Sequence, residues 1–212
     1  MKITHLGHAA VLVEAAGSRI LLDPGNLSDA WQPLTDLDAV IVTHQHPDHL
    51  DPQRIGALLA ANPEARVVVE PSIPDVVDLP GALRLAPGQK TSIGDVEIEA
   101  VGGEHAIIHR DIPTIGNVGV VLRASGEPTL FHPGDSLAAA PPGIDVLALP
   151  VMGPWAALKE HIDFIREVGA AQAFPIHDGL LNERGFGLYF GRANDMSDTE
   201  VHDWRDGEAH EV

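Results

Sequence analysis

An unbroken apolar run, Ala39-Val40-Ile41-Val42, leads straight into Thr43-His44-Gln45-His46-Pro47-Asp48-His49-Leu50-Asp51, where three imidazoles and a carboxylate occupy six consecutive positions. A short, β-branched run without polar alternation predicts a strand covered on both faces. Asp51 as N-cap and Pro52 at the first helical position predict a helix just beyond, with Ile55, Leu58 and Leu59 on its apolar face. The histidines then belong to a tight loop at the carboxyl end of a core strand, where α/β sheets hold ligands. Imidazole nitrogen and carboxylate oxygen are the ligands of zinc and similar divalent metals. His44 and His46, two residues apart, point the same way in an extended segment, while the adjacent Asp48 and His49 diverge and suit a second ion. A polar loop with accidental histidines is a poorer account of so dense a cluster.

The rest of the chain bounds what that loop can serve. Its 212 residues are enough for one domain with a sizeable core. The 31 acidic against 13 basic residues and the formal charge of −18 argue against nucleic acid as a partner, because phosphates need a basic face. Cysteine is absent, so neither disulfides nor thiolate ligands arise. Met1 to His5 enter a strand pattern at once, and neither a signal-peptide core nor an 18-residue apolar span is present, so a soluble cytoplasmic protein with no membrane contact is expected.

Short strands are predicted over Ile3–Leu6, Ala10–Glu14, Arg19–Asp23 and Arg66–Glu70, and a half-buried strand over Asp95–Val101, whose Val96, Ile98 and Ala100 alternate with acids. Gly7 to Asn26, shifted by 109 residues, falls on Gly116 to Asp135: Val11 meets Val120, Leu21 meets Leu130, and Pro24-Gly25 meet Pro133-Gly134. Shifted by 107, Asp38 to Val42 meets Asp145 to Leu149. Two such halves can bury their sheets against each other with helices outside. A helix over Pro154–Val168, with Trp155, Leu158, Ile162 and Ile165 on one stripe, is followed by a strand over Ala171–Ile176 that ends at His177. Residues 1–191 are taken as the single domain and residues 192–212 as a loosely packed acidic tail. Gly185 to Phe190 form an apolar patch suited to packing, to a pocket wall or to a homo-oligomer interface.

The HxHxDH motif after a buried strand resembles the signature of the metallo-β-lactamase superfamily. Leu6-Gly7-His8-Ala9 and Gly134-Asp135-Ser136 are similar to its branch of ascorbate-phosphate-lactonase-like and related hydrolases, and the likeness extends to about Gly185. The resemblance implies an α/β, four-layer αββα sandwich and a two-metal site. In that site His44, His46 and His105 would hold one ion, Asp48, His49 and His177 the other, and Asp135 would join them. His109, four residues past His105, competes as third ligand; His105 is favoured because Gly102-Gly103 before it would let the backbone approach a metal. His109 is otherwise a substrate-side donor or a solvated loop residue, and His8 a donor near the reaction or a structural histidine. His132 and Asp23, equivalent in the repeat, are expected to brace their loops, and His5, His161, His202 and His210 to be structural or solvated.

A metal-dependent hydrolase acting on a lactone, ester or phosphoester of a small molecule is the expected function, with Asp48 also able to take a proton from the attacking water. Zinc is the first choice of metal, with manganese and iron as alternatives. Rival readings are a non-catalytic metal-binding or sensory module and a diiron redox enzyme. The second is disfavoured by His46, because flavodiiron relatives carry glutamate there.

Overall fold

The structure is a computed structural model that describes residues 1–212. In chain order the first half contains β1 (Lys2–His5), β2 (Val11–Ala15), β3 (Ser18–Leu22), β4 (Ala39–Val42), α1 (Ile55–Ala61), β5 (Arg66–Val69) and β6 (Leu83–Arg84). The second contains β7 (Lys90–Ile93), β8 (Val96–Glu104), β9 (Gly116–Arg123), β10 (Leu130–His132), β11 (Val146–Pro150), α2 (Leu158–Val168), β12 (Gln172–Ile176), α3 (Glu183–Met196), β13 (Glu200–Val201) and β14 (Ala209–Glu211). Two seven-stranded mixed sheets result, ordered β14-β1-β2-β3-β4-β5-β6 and β13-β12-β11-β10-β9-β8-β7.

The internal repeat is visible as topology. In one sheet β2 and β3 are antiparallel, and β3, β4 and β5 run parallel; in the other β9 and β10 are antiparallel, and β10, β11 and β12 run parallel. Strand β4 is buried on both faces because its residues alternate between two cores: Ala39 and Ile41 join the cluster between the sheets, Val40 and Val42 the cluster under α1. Strand β11 does the same, with Val146 and Ala148 inward and Leu147 and Leu149 against α2. Helices thus cover both outer faces, and the four-layer αββα sandwich follows from strands that have no polar side to offer water.

Several local expectations shift. The motif helix begins at Ile55 instead of Pro52, because the Asp51 carbonyl and carboxylate accept from Ile55 and Gln53 and hold 51–54 as turns. Helix α2 begins at Leu158, not Pro154: the Glu160 carboxylate caps the Ala157 N–H at 2.6 Å, and Trp155 lies in the preceding turn instead of on the helical stripe. Gly102 and Gly103 lie inside β8 at φ +81° and +147°, where a Cβ on Gly103 would meet Pro87 at 3.1 Å, so they fit the strand's end to its neighbour and not its backbone to a metal.

The expectation of a loosely packed tail is corrected. Asn182 caps α3, which buries Phe186 and Ala193 in spite of Gly185, Gly187 and Gly191. β13 extends the second sheet beside β12, β14 pairs with β1, and Trp204 joins the inner core with 6% exposure, stacked on Phe174. Acidity misled here because the charges of this segment sit on its outer side, in pairs such as Arg205–Asp203 and Arg205–Glu183.

Candidate metal centre

Five strand ends on one edge of the sandwich deliver the polar cluster. β4 supplies the HxHxDH loop, β8 ends at His105, β10 reaches Asp135 through Pro133-Gly134, β12 ends at His177 and β1 reaches His8 through Gly7. Backbone hydrogen bonds tie these loops together: Val118 N–H to the Thr43 carbonyl (2.9 Å), Ala106 N–H to the Asp135 carbonyl (2.8 Å) and His177 N–H to the His8 carbonyl (2.9 Å). Three of the residues are left-handed without being glycine, His8 (φ 53°), Asp23 (φ 45°) and His177 (φ 60°), a strain that persists only where surrounding packing enforces it.

The glycines matched by the repeat do the same work twice. A Cβ on Gly25 would fall 1.6 Å from the Asp48 carbonyl oxygen, and one on Gly134 would fall 2.3 Å from Asn117 Oδ1 and 2.8 Å from Thr43. Both Pro-Gly corners therefore press against the motif loop from opposite halves.

Two groups of ligand-type atoms form, each with its members within 4.8 Å of one another: His44, His46, His105 and Asp135, and His8, Asp48, His49 and His177. Asp135 reaches across, with Oδ1 3.0 Å from His49 Nε2 and Oδ2 3.1 Å from His177 Nε2 and 3.3 Å from His105 Nε2. All seven residues expected to ligate are thus brought together. His109 is not: its side chain is 57% exposed on the loop past His105, and its Nδ1 accepts the Asp111 N–H at 3.2 Å.

The donor chemistry fits divalent cations. His44 Nε2, His49 Nε2, His105 Nε2 and Asp135 Oδ1 are buried without a hydrogen-bond partner, an arrangement that costs about 1–3 kcal/mol per atom if nothing satisfies them. Their opposite ring nitrogens are engaged. His44 Nδ1 donates to Thr43 Oγ1 (3.1 Å), His49 Nδ1 to Asp23 Oδ2 (2.6 Å) and His105 Nδ1 to the Ala106 carbonyl (2.6 Å), which leaves each Nε2 free as a ligand. His8 differs: its Nδ1 accepts the Gly179 N–H at 3.1 Å, so its Nε2 carries the proton and donates to Asp48 Oδ2 at 3.2 Å.

Electrostatics agree with a site built for positive charge. Burial lowers His44, His46 and His8, in each case with neighbouring imidazoles adding to it. Burial opposes charge on His49 and His177 as well, but Asp135 outweighs it, with Asp23 helping at His49; His49 is held well above its ordinary value and His177 at about 9. Burial would raise Asp48 and Asp135, yet the surrounding histidines hold both carboxyls well below the carboxylate range.

Two contributors were not assigned to the site from sequence. Asp23, expected only to brace its loop, also binds the Thr43 N–H (2.8 Å) and hydroxyl (2.7 Å) and orients His49, so it fixes two consecutive parts of the motif. Its signal was the repeat equivalence with His132, which bonds the Ala9 carbonyl and receives the Gly134 N–H. Asp23→Ala is expected to weaken metal affinity about 10–100-fold, the usual effect of losing a carboxylate behind a ligand histidine, as measured by competition with a chromophoric chelator. Trp155, expected on a helix, donates its indole N–H to Asp135 Oδ2 at 3.0 Å.

Behind Trp155 lies His161, 2% exposed, between that indole and Tyr189, with neither ring nitrogen hydrogen-bonded. Burial pushes it down to about 4, and the Pro150 carbonyl, out of hydrogen-bond geometry, offsets little of this. The unfolded chain takes up a proton near the ordinary 6.5 whereas the folded chain resists until about 4. The contribution of His161 is therefore fully present above about pH 6.5, and about 3 kcal/mol of it is lost as the pH drops to about 4. His161→Phe is expected to make the acid limb shallower, without abolishing it, in urea titrations at stepped pH, because His8, His44 and His46 share it.

Residues 2–177 match the family described as β-lactamase superfamily domain. Together with the fold and the HxHxDH loop, this match shows that the chain belongs to the metallo-β-lactamase superfamily. Among its relatives, Protein Rv0786c of Mycobacterium tuberculosis (strain ATCC 25618 / H37Rv) is 37% identical over 201 residues, 94% of either chain. A UPF0173 metal-dependent hydrolase of Carboxydothermus hydrogenoformans is 30% identical over 196 residues, 84% of either chain. Igni18, a metallo hydrolase from Ignicoccus hospitalis, superposes with a TM-score of 0.76 at 18% identity, covering all of this chain and 97% of its own, which speaks to the fold. No helix is long and apolar enough to cross a membrane.

Proposed function

We propose that this protein is a metal-dependent hydrolase of small molecules that works through two divalent ions. His44, His46 and His105 would hold one ion, Asp48, His49 and His177 the other, and Asp135 would face both. Zinc suits these nitrogen and oxygen donors best, and manganese or iron would also be accepted. The observation that carries the reading is the convergence of four buried, unpartnered ligand atoms whose opposite ring nitrogens or neighbouring atoms are already fixed. When bound, such ions polarise the bond to be cleaved and make water acidic enough to attack near neutral pH.

The chain's own groups supply orientation and proton handling. Asp23 and Thr43 hold His49 and His44 by their Nδ1 atoms, so the Nε2 atoms of both are oriented by the motif loop itself. Asp48 shares Oδ2 with His8 and lies near His177, at 3.2 and 3.5 Å. It is the carboxylate placed to receive the proton given up by attacking water. His8, neutral with its proton on Nε2, is placed to deliver one to the leaving group. Exposed and turned toward Asp111, His109 takes no part.

Elemental analysis and a hydrolase screen on one preparation test this. About two equivalents of metal and turnover of an ester, lactone or phosphoester are expected, with His46→Ala and Asp48→Ala folded but inactive. Turnover retained in both variants would refute the site, and metal-loaded protein inert across the screen would favour a metal-binding module instead.

A further inference from the structure

A cavity of about 380 Å³ opens beside His105, its wall made by Ala106, Ile107, Leu137, Ala138, Trp155 and Ala156. That volume lies at the small end of ligand pockets, which run roughly 300–1,000 Å³. Trp155 presents an apolar face there, because its only polar atom is spent on Asp135. Ile107, on a loop of the cavity wall, is 69% exposed, a large apolar side chain held out toward solvent. A larger cavity, about 590 Å³, lies between Met1, Glu14, Arg19 and Val212 at the far end of β1 and is lined by none of the histidines.

Charge in the cavity by the site is of one sign. Glu160 is engaged with the Ala157 N–H, whereas Glu104 stands exposed at the rim. No lysine or arginine lines the space, and the nearby Arg110 on the same loop is 88% exposed and turned to Asp111. A carboxylate or phosphoester group seated in this cavity, apart from the ions, would meet Glu104 with no basic side chain to pair it, whereas an apolar group would be removed from water.

We propose that this cavity receives the apolar part of an uncharged substrate, an ester or lactone with a compact acyl or aryl group, and selects against anionic substrates. This rests on the hydrolase reading above. Water adds to the acyl carbon, the bond from that carbon to the leaving oxygen breaks, and the leaving oxygen takes up a proton. The acyl or aryl group lies against Trp155 while the reacting carbonyl faces His105 and Asp135.

The zinc-loaded full chain tests the assignment with three esters that share a chromophore: p-nitrophenyl butyrate, p-nitrophenyl hemisuccinate and bis(p-nitrophenyl) phosphate. The butyrate is expected to exceed both anions at least tenfold in kcat/KM, and Glu104→Lys to narrow its lead over the hemisuccinate at least threefold. Equal or faster turnover of either anion overturns the substrate class while leaving the hydrolase reading intact. Binding is followed separately by calorimetry with the uncleaved amides N-phenylbutanamide and N-phenylsuccinamate. The neutral amide should bind more tightly, and Ala138→Trp should weaken it at least tenfold with metal content unchanged. Unaltered binding in that variant, or preference for the carboxylate, overturns the pocket assignment. If no ester turns over but the neutral amide is preferred and lost in Ala138→Trp, the pocket stands and the hydrolase reading falls.

Discussion

Asp135→Ala is expected to lower turnover at least about a thousandfold, roughly 4 kcal/mol of transition-state stabilisation, and to bring metal content below two equivalents. Its two carboxylate oxygens lie 3.0–3.3 Å from His49, His105 and His177, residues of both ligand groups, and Asn117 fixes its backbone N–H at 2.9 Å. Removing it takes away the one carboxylate within 4 Å of four imidazoles, His44, His49, His105 and His177, so two cations brought close together would lose the charge between them. The loss should therefore exceed that of a single histidine, whose neighbours remain. Asp135→Asn separates charge from shape: it keeps the volume and one acceptor, and is expected to bind metal more weakly than the native chain but better than alanine. Metal content by mass spectrometry and kcat on the same samples decide it. A fully loaded, active Asp135→Ala protein would show that the two groups work independently.

Gly25→Ala is expected to destabilise the protein by about 3 kcal/mol or more, at or beyond the upper end of ordinary overpacking. The added Cβ would sit 1.6 Å from the Asp48 carbonyl oxygen and 2.6 Å from the His49 nitrogen, so backbone, not a flexible side chain, must give way. The cheapest relief moves the motif loop, and metal affinity should fall along with stability. Gly17→Ala is the control: a Cβ there meets nothing within 4 Å, so only its positive φ of 78° resists, and metal binding should hold. Chemical denaturation of both, with and without zinc, separates the two effects.

These outcomes also mark what the amino-acid order made legible. The motif loop, the buried strand before it and the two-half architecture are local or periodic properties, and each element appears within a residue or two of its expected place. His105, Asp135 and His177 could be placed only through the likeness to a known family, because no spacing rule brings residues 56 to 133 positions from the motif loop to one point. What escaped depended on contacts between distant segments. Trp155 leaves its helix because Glu160 caps one turn later, and this frees the indole to meet Asp135. Helix α3 forms through three glycines because Phe186 and Ala193 gain buried surface that propensity alone does not weigh. The acidic terminus packs because Trp204 finds Phe174, and the charges that suggested disorder only face outward.

The pairing of β14 with β1 joins Lys2 to Glu211, almost the full span of the chain. An edge made this way is the least local contact of the fold: the amino-terminal strand waits for a partner made about two hundred residues later. Until then β1 has one open side, and the inner core lacks the Trp204 ring. Final closure of both sheets is thus a late step in folding, and a chain still lacking β13 and β14 would be the form most exposed to aggregation or proteolysis.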